Sequence, residues 1–458
     1  MHELTDAQRQ AAAHRGGPLV VLGGAGSGKT AALVARFVAL VDDGVPADAV
    51  AVLVPTETAA GALRAQLEDA LGARPFAELA VHTGPELARR LLRGEALEAA
   101  LDPFVALASP ADRLGVLLDR MDDLPLRHHD LQGRPAATLA RVIARIDRCK
   151  AELLDAQTLA EWAQTSSDRE REFAALYREH ERMLAEQGLI DHGELVARAN
   201  ALLADHPHVC ARCGARFRHV LVDDAQDHTP ATLALAGALA STHGALVLAG
   251  DDDQAVTPPR RGAAAWMPAE ATTVRLEHSL RCRARLLSAA GAIVAPADGR
   301  VDKRLAGEAG GEVRFWECAN ERAQAQSVAI EIERLVREGV APERIGVLVR
   351  SVRNEGQAVS VALEERAVPF RLLGAAAFFQ RAEVRDVLAW LRLLVDPSDA
   401  AAVVRALARP PVELRAVDLA RCVQISRRRK LDMVHALVAA TESPQLPPDA
   451  RDRVLDFL

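Results

Sequence analysis

The stretch that most constrains this chain is Val20-Val21-Leu22 running into Gly23-Gly24-Ala25-Gly26-Ser27-Gly28-Lys29-Thr30 and then into an alanine-rich segment. Apolar strand, glycine-rich turn and helix, in that order, make a nucleoside-triphosphate pocket. Gly23 and Gly28 frame the G-x-x-x-x-G-K-[ST] spacing, and the turn Gly23, Gly24, Ala25, Gly26, Ser27, Gly28 lets backbone N–H groups point at phosphate oxygens with the positive end of the helix behind them. Lys29 is expected to reach the β- and γ-phosphates, and Thr30 to hold Mg²⁺ through its hydroxyl. The alternative is an ordinary glycine-rich loop, which the flanking strand and helix disfavour.

At 458 residues with half of them apolar, the chain can bury a core in each of about two to four domains. No apolar run approaches the ~18 residues of a membrane span, and Met1-His2-Glu3-Leu4 is neither a signal nor a transit peptide, so the expectation is a cytoplasmic protein without a membrane partner. Of six cysteines only Cys210 and Cys213 form a C-x-x-C, with no second pair or histidine at zinc-finger spacing, which reads as reduced thiols rather than a metal site. A net charge of −7 is not that of a protein that coats nucleic acid, but a groove that grips one strand needs only local positive charge. Lysine occurs only at Lys29, Lys150, Lys303 and Lys430, which makes the P-loop lysine more noticeable.

Upstream of the P-loop, Thr5 can cap a short helix that carries Gln8, whose amide can donate to and accept from an adenine edge; a plain surface glutamine is the alternative. Residues 49–55 read as a second strand, followed by a turn and helix over 56–64, and residues 89–191 become helical, broken at Pro103, Pro110, Pro125 and Pro135. Strand character returns at His219–Val222 and ends in Asp223-Asp224-Ala225-Gln226-Asp227. Two carboxylates at a buried strand end put the first near the P-loop Mg²⁺ and the second near the water that attacks the γ-phosphate. Ala245–Ala249 leads likewise into Gly250-Asp251-Asp252-Asp253-Gln254, and beyond Gly310 the pattern is strand 312–316, helix 321–338, strand 345–350, helix 354–366.

These segments together resemble the UvrD/Rep-type superfamily 1 DNA helicases. Gln8 stands where that family has its glutamine motif, and Thr56, Ala59 and Ala60 match its TFTNKAA segment, with Pro55 in place of the base-contacting phenylalanine. Val81-His82-Thr83-Gly84 is loosely similar to its T-x-H segment, and Asp191-His192-Gly193-Glu194-Leu195 to DFDDL. Asp223-Asp224-Ala225-Gln226-Asp227 is similar to VDEFQD; Asp223 takes the metal side, and Asp224 replaces the catalytic glutamate with a side chain one methylene shorter, which slows or abolishes hydrolysis. Gly250–Gln254 matches GDDDQ, and Gln254 is implied to sense the γ-phosphate. Leu276-Glu277-His278-Ser279-Leu280-Arg281-Cys282 resembles LEQNYRS, which makes Arg281 a γ-phosphate contact, while Leu280 and Ala31 replace a tyrosine and an arginine at the base end of the pocket. Val256–Ala263 lacks the family's stacking rings, each worth about 1–3 kcal/mol per base. Phe378-Phe379-Gln380-Arg381 through Asp396-Pro397 resembles the entry into a further helical subdomain, and Arg427-Arg428-Arg429-Lys430 reads as a solvated helix face or a phosphate contact.

The fold implied is α/β, a P-loop NTPase with RecA-like parallel-sheet cores and helical insertions: residues 1–90 and 195–280 the first core, 91–194 a helical insertion, 281–377 the first part of a second core, 378–458 the start of a second helical subdomain. The implied activity is that of an ATP-dependent helicase or translocase moving 3′ to 5′ on single-stranded DNA, or on DNA with a 3′ single-stranded tail, with ATP and Mg²⁺ as cofactors. The family's late motifs are not found in the 458 residues, so weak hydrolysis by this chain alone, and a partner subunit that completes the motor, are expected. A non-motor nucleotide- or DNA-binding structural subunit is the alternative; a small-molecule kinase leaves Gly250–Gln254 and Leu276–Cys282 without a role.

Overall fold

The apolar runs that precede the glycine-rich turn and the acidic turns pair with one another in a single parallel sheet. The computed structural model describes residues 3–74, 76, 78–102, 105–128, 135–255, 265–352, 355–373, 382–444 and 446–458. They fall into two compact units, Met1–Val313 and Arg314–Leu458. In chain order the first opens with α1 (Asp6–Ala13), β1 (Leu19–Gly23), α2 (Lys29–Asp42), β2 (Val50–Leu53), α3 (Glu57–Leu71), β3 (Val81–His82) and α4 (Gly84–Gly94). An insertion follows, with β4 (Ala106–Leu107), α5 (Pro110–Asp119), α6 (Pro135–Ala151), α7 (Ala156–Ala163), α8 (Asp168–Glu186) and β5 (Leu189–Ile190). The chain then returns through α9 (His192–Asp205), α10 (Pro207–Arg216), β6 (His219–Val222), α11 (Pro230–Ala240), β7 (Leu246–Gly250), β8 (Thr272–Leu276) and α12 (Ala284–Val294).

The sheet runs β3-β2-β6-β7-β1-β8 and every neighbouring pair is parallel. Parallel sheets are covered on both faces, which is why β1 and β7 read as unbroken apolar runs. Alternate residues of β1 serve opposite cores: Leu19 and Val21 pack with Leu33, Phe37 and Leu67 of α2 and α3, whereas Val20 and Leu22 pack with Leu87, Leu195 and Leu235 of α4, α9 and α11.

The insertion has its own core around Leu139, Ile143, Ile146, Phe173, Leu176 and Met183. Its two ends meet in the short parallel pairing of β4 with β5. A buried ion cluster ties it to the rest of the unit, with Lys150 Nζ 2.7 Å from Asp191 and 3.4 Å from Glu194, and also pairs residues inside it, with Lys150 Nζ 2.8 Å from Glu181 and Arg113 2.6 Å from Asp147. His180, Glu181 and Asp191 stand close enough to bind a metal ion, but the Lys150 ammonium already supplies the positive charge there.

In the second unit, helices Glu321–Arg337 and Glu355–Glu364 pack around Ala329, Ile332, Leu363 and Val368, and later helices pack around Val403, Leu407, Leu437 and Val454. The strands expected over 312–316 and 345–350 are not formed; neither segment has a ladder partner among the described residues, and Phe315 and Leu348 are 84% and 96% exposed. A strand exists only against a hydrogen-bonded neighbour, and apolar alternation does not supply one. The Val256–Ala263 stretch, Asn354 and the Phe378–Arg381 motif lie outside the described residues. Among the described residues no helix is long and apolar enough to cross a membrane.

Candidate nucleotide-binding site

Because all six strands run the same way, their carboxyl ends open onto one edge of the sheet, and that edge carries the loops singled out in the sequence. From β1 comes Gly23–Thr30, from β6 Asp223-Asp224, from β7 Asp251–Gln254 and from β8 Glu277–Cys282.

The P-loop is built on close approaches. Gly26 (φ 72°) and Gly28 (φ 80°) occupy the left-handed region, and a Cβ on either would collide, with Arg281 Cβ at 2.6 Å and with Gln8 Nε2 at 2.2 Å. Ser27 Oγ donates to the Gly24 carbonyl at 2.9 Å, and Lys29 Nζ folds back to the same carbonyl at 3.4 Å. No side chain caps the N-terminus of α2, which leaves the donors of its first turn to a ligand. Gln8 is buried and doubly engaged. Its Oε1 accepts from the Thr5 N–H at 2.9 Å as half of a capping box, while Nε2 donates to the Ser27 carbonyl at 3.0 Å. This ties α1 to the P-loop, and reading an adenine edge would require exchanging these bonds.

A hydrogen-bonded chain links the P-loop helix to Gln254. Thr30 Oγ1 donates to Asp223 Oδ2 at 2.8 Å, and Asp223 Oδ1 accepts from the Asp224 N–H at 3.1 Å. Gln226 Nε2 reaches Asp224 Oδ1 at 3.4 Å while its Oε1 accepts from the Asp251 N–H at 2.9 Å, and Gln254 Nε2 donates to Asp251 Oδ2 at 2.7 Å. Burial, and then the neighbouring Asp224 charge, push the Asp223 carboxyl up to about 6. Asp224 sits at φ 47°, in the left-handed region that aspartate tolerates better than most residues.

The segment after β8 braces the P-loop from its other side. Ser279 Oγ donates to the Ala25 carbonyl at 2.8 Å and the Leu280 N–H to the Gly26 carbonyl at 2.9 Å. Arg281 is thereby held over Gly26, with an exposed guanidinium that makes no hydrogen bond or ion pair among the described residues. Gln226 and Ser279 were not singled out in the sequence. Their position inside the two motif segments was a signal, but a bridging role between loops has no signature in a linear string.

Thr30 and Asp223 are hard oxygen donors at hydrogen-bond distance from one another beside a helix N-terminus, and the Asp223 carboxylate is destabilised by burial. That donor set fits Mg²⁺. With Lys29, Arg281 and free backbone N–H groups facing the same edge, the arrangement has what binding a polyphosphate and neutralising its charge require.

The chain matches known protein families over most of its length. The family model for the UvrD/REP helicase N-terminal domain matches residues 4–263, and that for the UvrD-like helicase C-terminal domain matches residues 274–442. The chain is 29% identical over 474 residues to DNA helicase II of Haemophilus influenzae, covering 99% of this chain and 63% of that protein. It is 31% identical over 427 residues to the ATP-dependent DNA helicase UvrD1 of Mycobacterium tuberculosis (89% and 54%), and 30% identical over 455 residues to DNA helicase II of Escherichia coli (95% and 60%). The chain thus spans between 54% and 63% of the length of these relatives. With both family models matched in order and the first alone covering more than half of the residues, the chain belongs to the UvrD/Rep helicase family.

Proposed function

We propose that this chain carries the ATP-binding and ATP-hydrolysing part of a DNA helicase or translocase that moves 3′ to 5′ on single-stranded DNA, in the cytoplasm, in repair or recombination. The observation that carries this reading is the continuous chain Thr30–Asp223–Asp224–Gln226–Asp251–Gln254, which joins the phosphate cradle to a second loop of the same sheet edge. In it Gly23–Thr30 hold the phosphates, Lys29 neutralises their charge, Gln8 stands at the adenine end, Thr30 and Asp223 hold Mg²⁺, Asp224 orients the attacking water, and Gln254 and Arg281 contact the γ-phosphate. Mg²⁺, when bound, neutralises charge on the transferred phosphoryl group. The short carboxylate of Asp224 favours a second reading, a subunit that binds nucleotide with little turnover and relies on a partner to complete the motor.

The test is steady-state ATP hydrolysis with and without single-stranded DNA, alongside a titration of Mg–ATP, for the chain and its Lys29→Ala variant. Loss of the charged phosphate contact is expected to weaken Mg–ATP by about 10–100-fold and to remove the DNA-stimulated turnover. Binding without turnover in the unaltered chain selects the second reading, and equal affinity in the variant overturns the phosphate-cradle assignment.

A further inference from the structure

Residues 300–306 pass two loops of the site at once. At the leading end, Arg300 donates to both carboxylate oxygens of Asp253 at 2.9 Å each, and the Val301 N–H donates to Asp252 Oδ2 at 2.7 Å. Lys303 is 7% exposed at its side chain and is surrounded by three consecutive carboxylates, with Nζ 3.0 Å from Asp251, 3.0 Å from Asp253 and paired to Asp252. Burial by itself would lower the Lys303 pKa, but these carboxylates outweigh it and the ammonium is held above its ordinary range. At the trailing end, a Cβ on Gly24 would lie 1.9 Å from Leu305 Cδ1, so Leu305 lies directly against the P-loop. Ala306 donates its N–H to the Glu277 carbonyl at 2.8 Å and accepts from the Ser279 N–H at 2.7 Å, the residue whose hydroxyl holds Ala25.

The acidic turn and the P-loop are therefore mounted on one segment. Three adjacent carboxylates repel one another, and Lys303 is the cation that touches all three. Asp251 both receives Lys303 and fixes the Gln254 amide at 2.7 Å, so the lysine reaches Gln254 through one intervening side chain. We infer that Lys303 is a positioning residue for ATP hydrolysis, neutralising the Asp251–Asp253 turn so that Gln254 is held in register with the P-loop. This inference rests on the proposed function, and on Gln254 acting at the γ-phosphate. It assigns Lys303 to the rate of the chemical step rather than to nucleotide binding, because none of its partners is a residue of the phosphate cradle.

The experiment compares Lys303→Met, the charge-relieved pair Asp252→Asn with Lys303→Met, and Lys303→Arg in the full chain. Loss of alignment predicts kcat for DNA-stimulated hydrolysis reduced about tenfold with KM for ATP within about threefold, most of it recovered by Lys303→Arg. If Lys303→Met folds and keeps the unaltered kcat, or raises KM alone, or if the charge-relieved pair, which restores the net charge of the turn, folds yet stays about tenfold below the unaltered kcat, the inference fails. Should the unaltered chain show no turnover, the hydrolysing reading of the proposed function is what fails, and hydrogen exchange in the nucleotide-free chain decides the inference. Faster exchange at the Asp251–Gln254 amides in Lys303→Met, reversed in the charge-relieved pair and absent in Lys303→Arg, supports the positioning role. Unchanged exchange there overturns it.

Discussion

His82 and His228 are both buried, and burial lowers each pKa to about 4, so both are neutral in the folded chain near pH 7. His228 Nε2 donates to the carbonyl of Asp223 at 3.0 Å, so a second proton enters at Nδ1 and places a charge in the buried site behind the strand end that carries the acidic pair. Unfolded histidine takes up its proton near pH 6.5, above the folded value, so the unfolded state binds more protons between about pH 6.5 and 4 and stability falls as the pH falls through that window. The raised pKa of Asp223 acts in the opposite sense, since its folded carboxyl takes up a proton before the unfolded one does. Two histidines at on the order of 2 kcal/mol each by pH 5 outweigh one aspartate, so urea midpoints are expected to drop from pH 7 to pH 5. His228→Gln is expected to remove part of that slope; an identical slope in the variant refutes the assignment.

Among the elements, the helical insertion shows how a buried charge can organise a fold without being a site. Lys150 is nearly inaccessible among Asp191, Glu181 and Glu194, and Asp191 also caps α9 by accepting the Glu194 N–H at 2.9 Å. Lys150→Met removes the cation shared by the three carboxylates, leaving Asp191 with Arg113 at 3.4 Å and Glu194 with Arg198 at 2.8 Å, and the expected cost is about 3 kcal/mol. Limited proteolysis is expected to cut first within residues 110–186 of the variant, while nucleotide affinity of the sheet edge changes by less than about threefold. Cleavage no faster than in the unaltered chain would mean that the helices are held by their apolar core alone.

For the molecule as a whole, every candidate nucleotide contact from Gln8 to Arg281 lies in the unit Met1–Val313. A ligand that binds only the folded form stabilises it by mass action, about 2.7 kcal/mol at a hundredfold excess over Kd. Mg–ATP is therefore expected to raise the unfolding transition assigned to this unit by calorimetry, and Lys29→Ala to cut the stabilisation at the same concentration to about 0.4–1.4 kcal/mol. An unshifted transition for that unit at saturating Mg–ATP contradicts the site.

What could be read before any coordinates were the pieces whose chemistry is local. The G-x-x-x-x-G-K-[ST] spacing and the apolar run before the glycine-rich turn and each acidic turn follow from residue type and neighbours along the chain, and the sheet and P-loop formed where these signals lie. Tertiary structure alone decided three other matters. Gln8 satisfies its amide on a capping box and the Ser27 carbonyl, because α1 docks beside the P-loop. Lys303, noticeable in the sequence only as one of four lysines, meets Asp251–Asp253 because residues 300–306 fold back over them from some fifty positions away. The apolar segments 312–316 and 345–350 formed no strands, because ladder pairing is a property of two segments in space and neither has a partner within the described residues. Local patterns specify which backbone states and which chemistries are available; which distant groups share one set of hydrogen bonds or one buried charge is set only when the chain closes on itself.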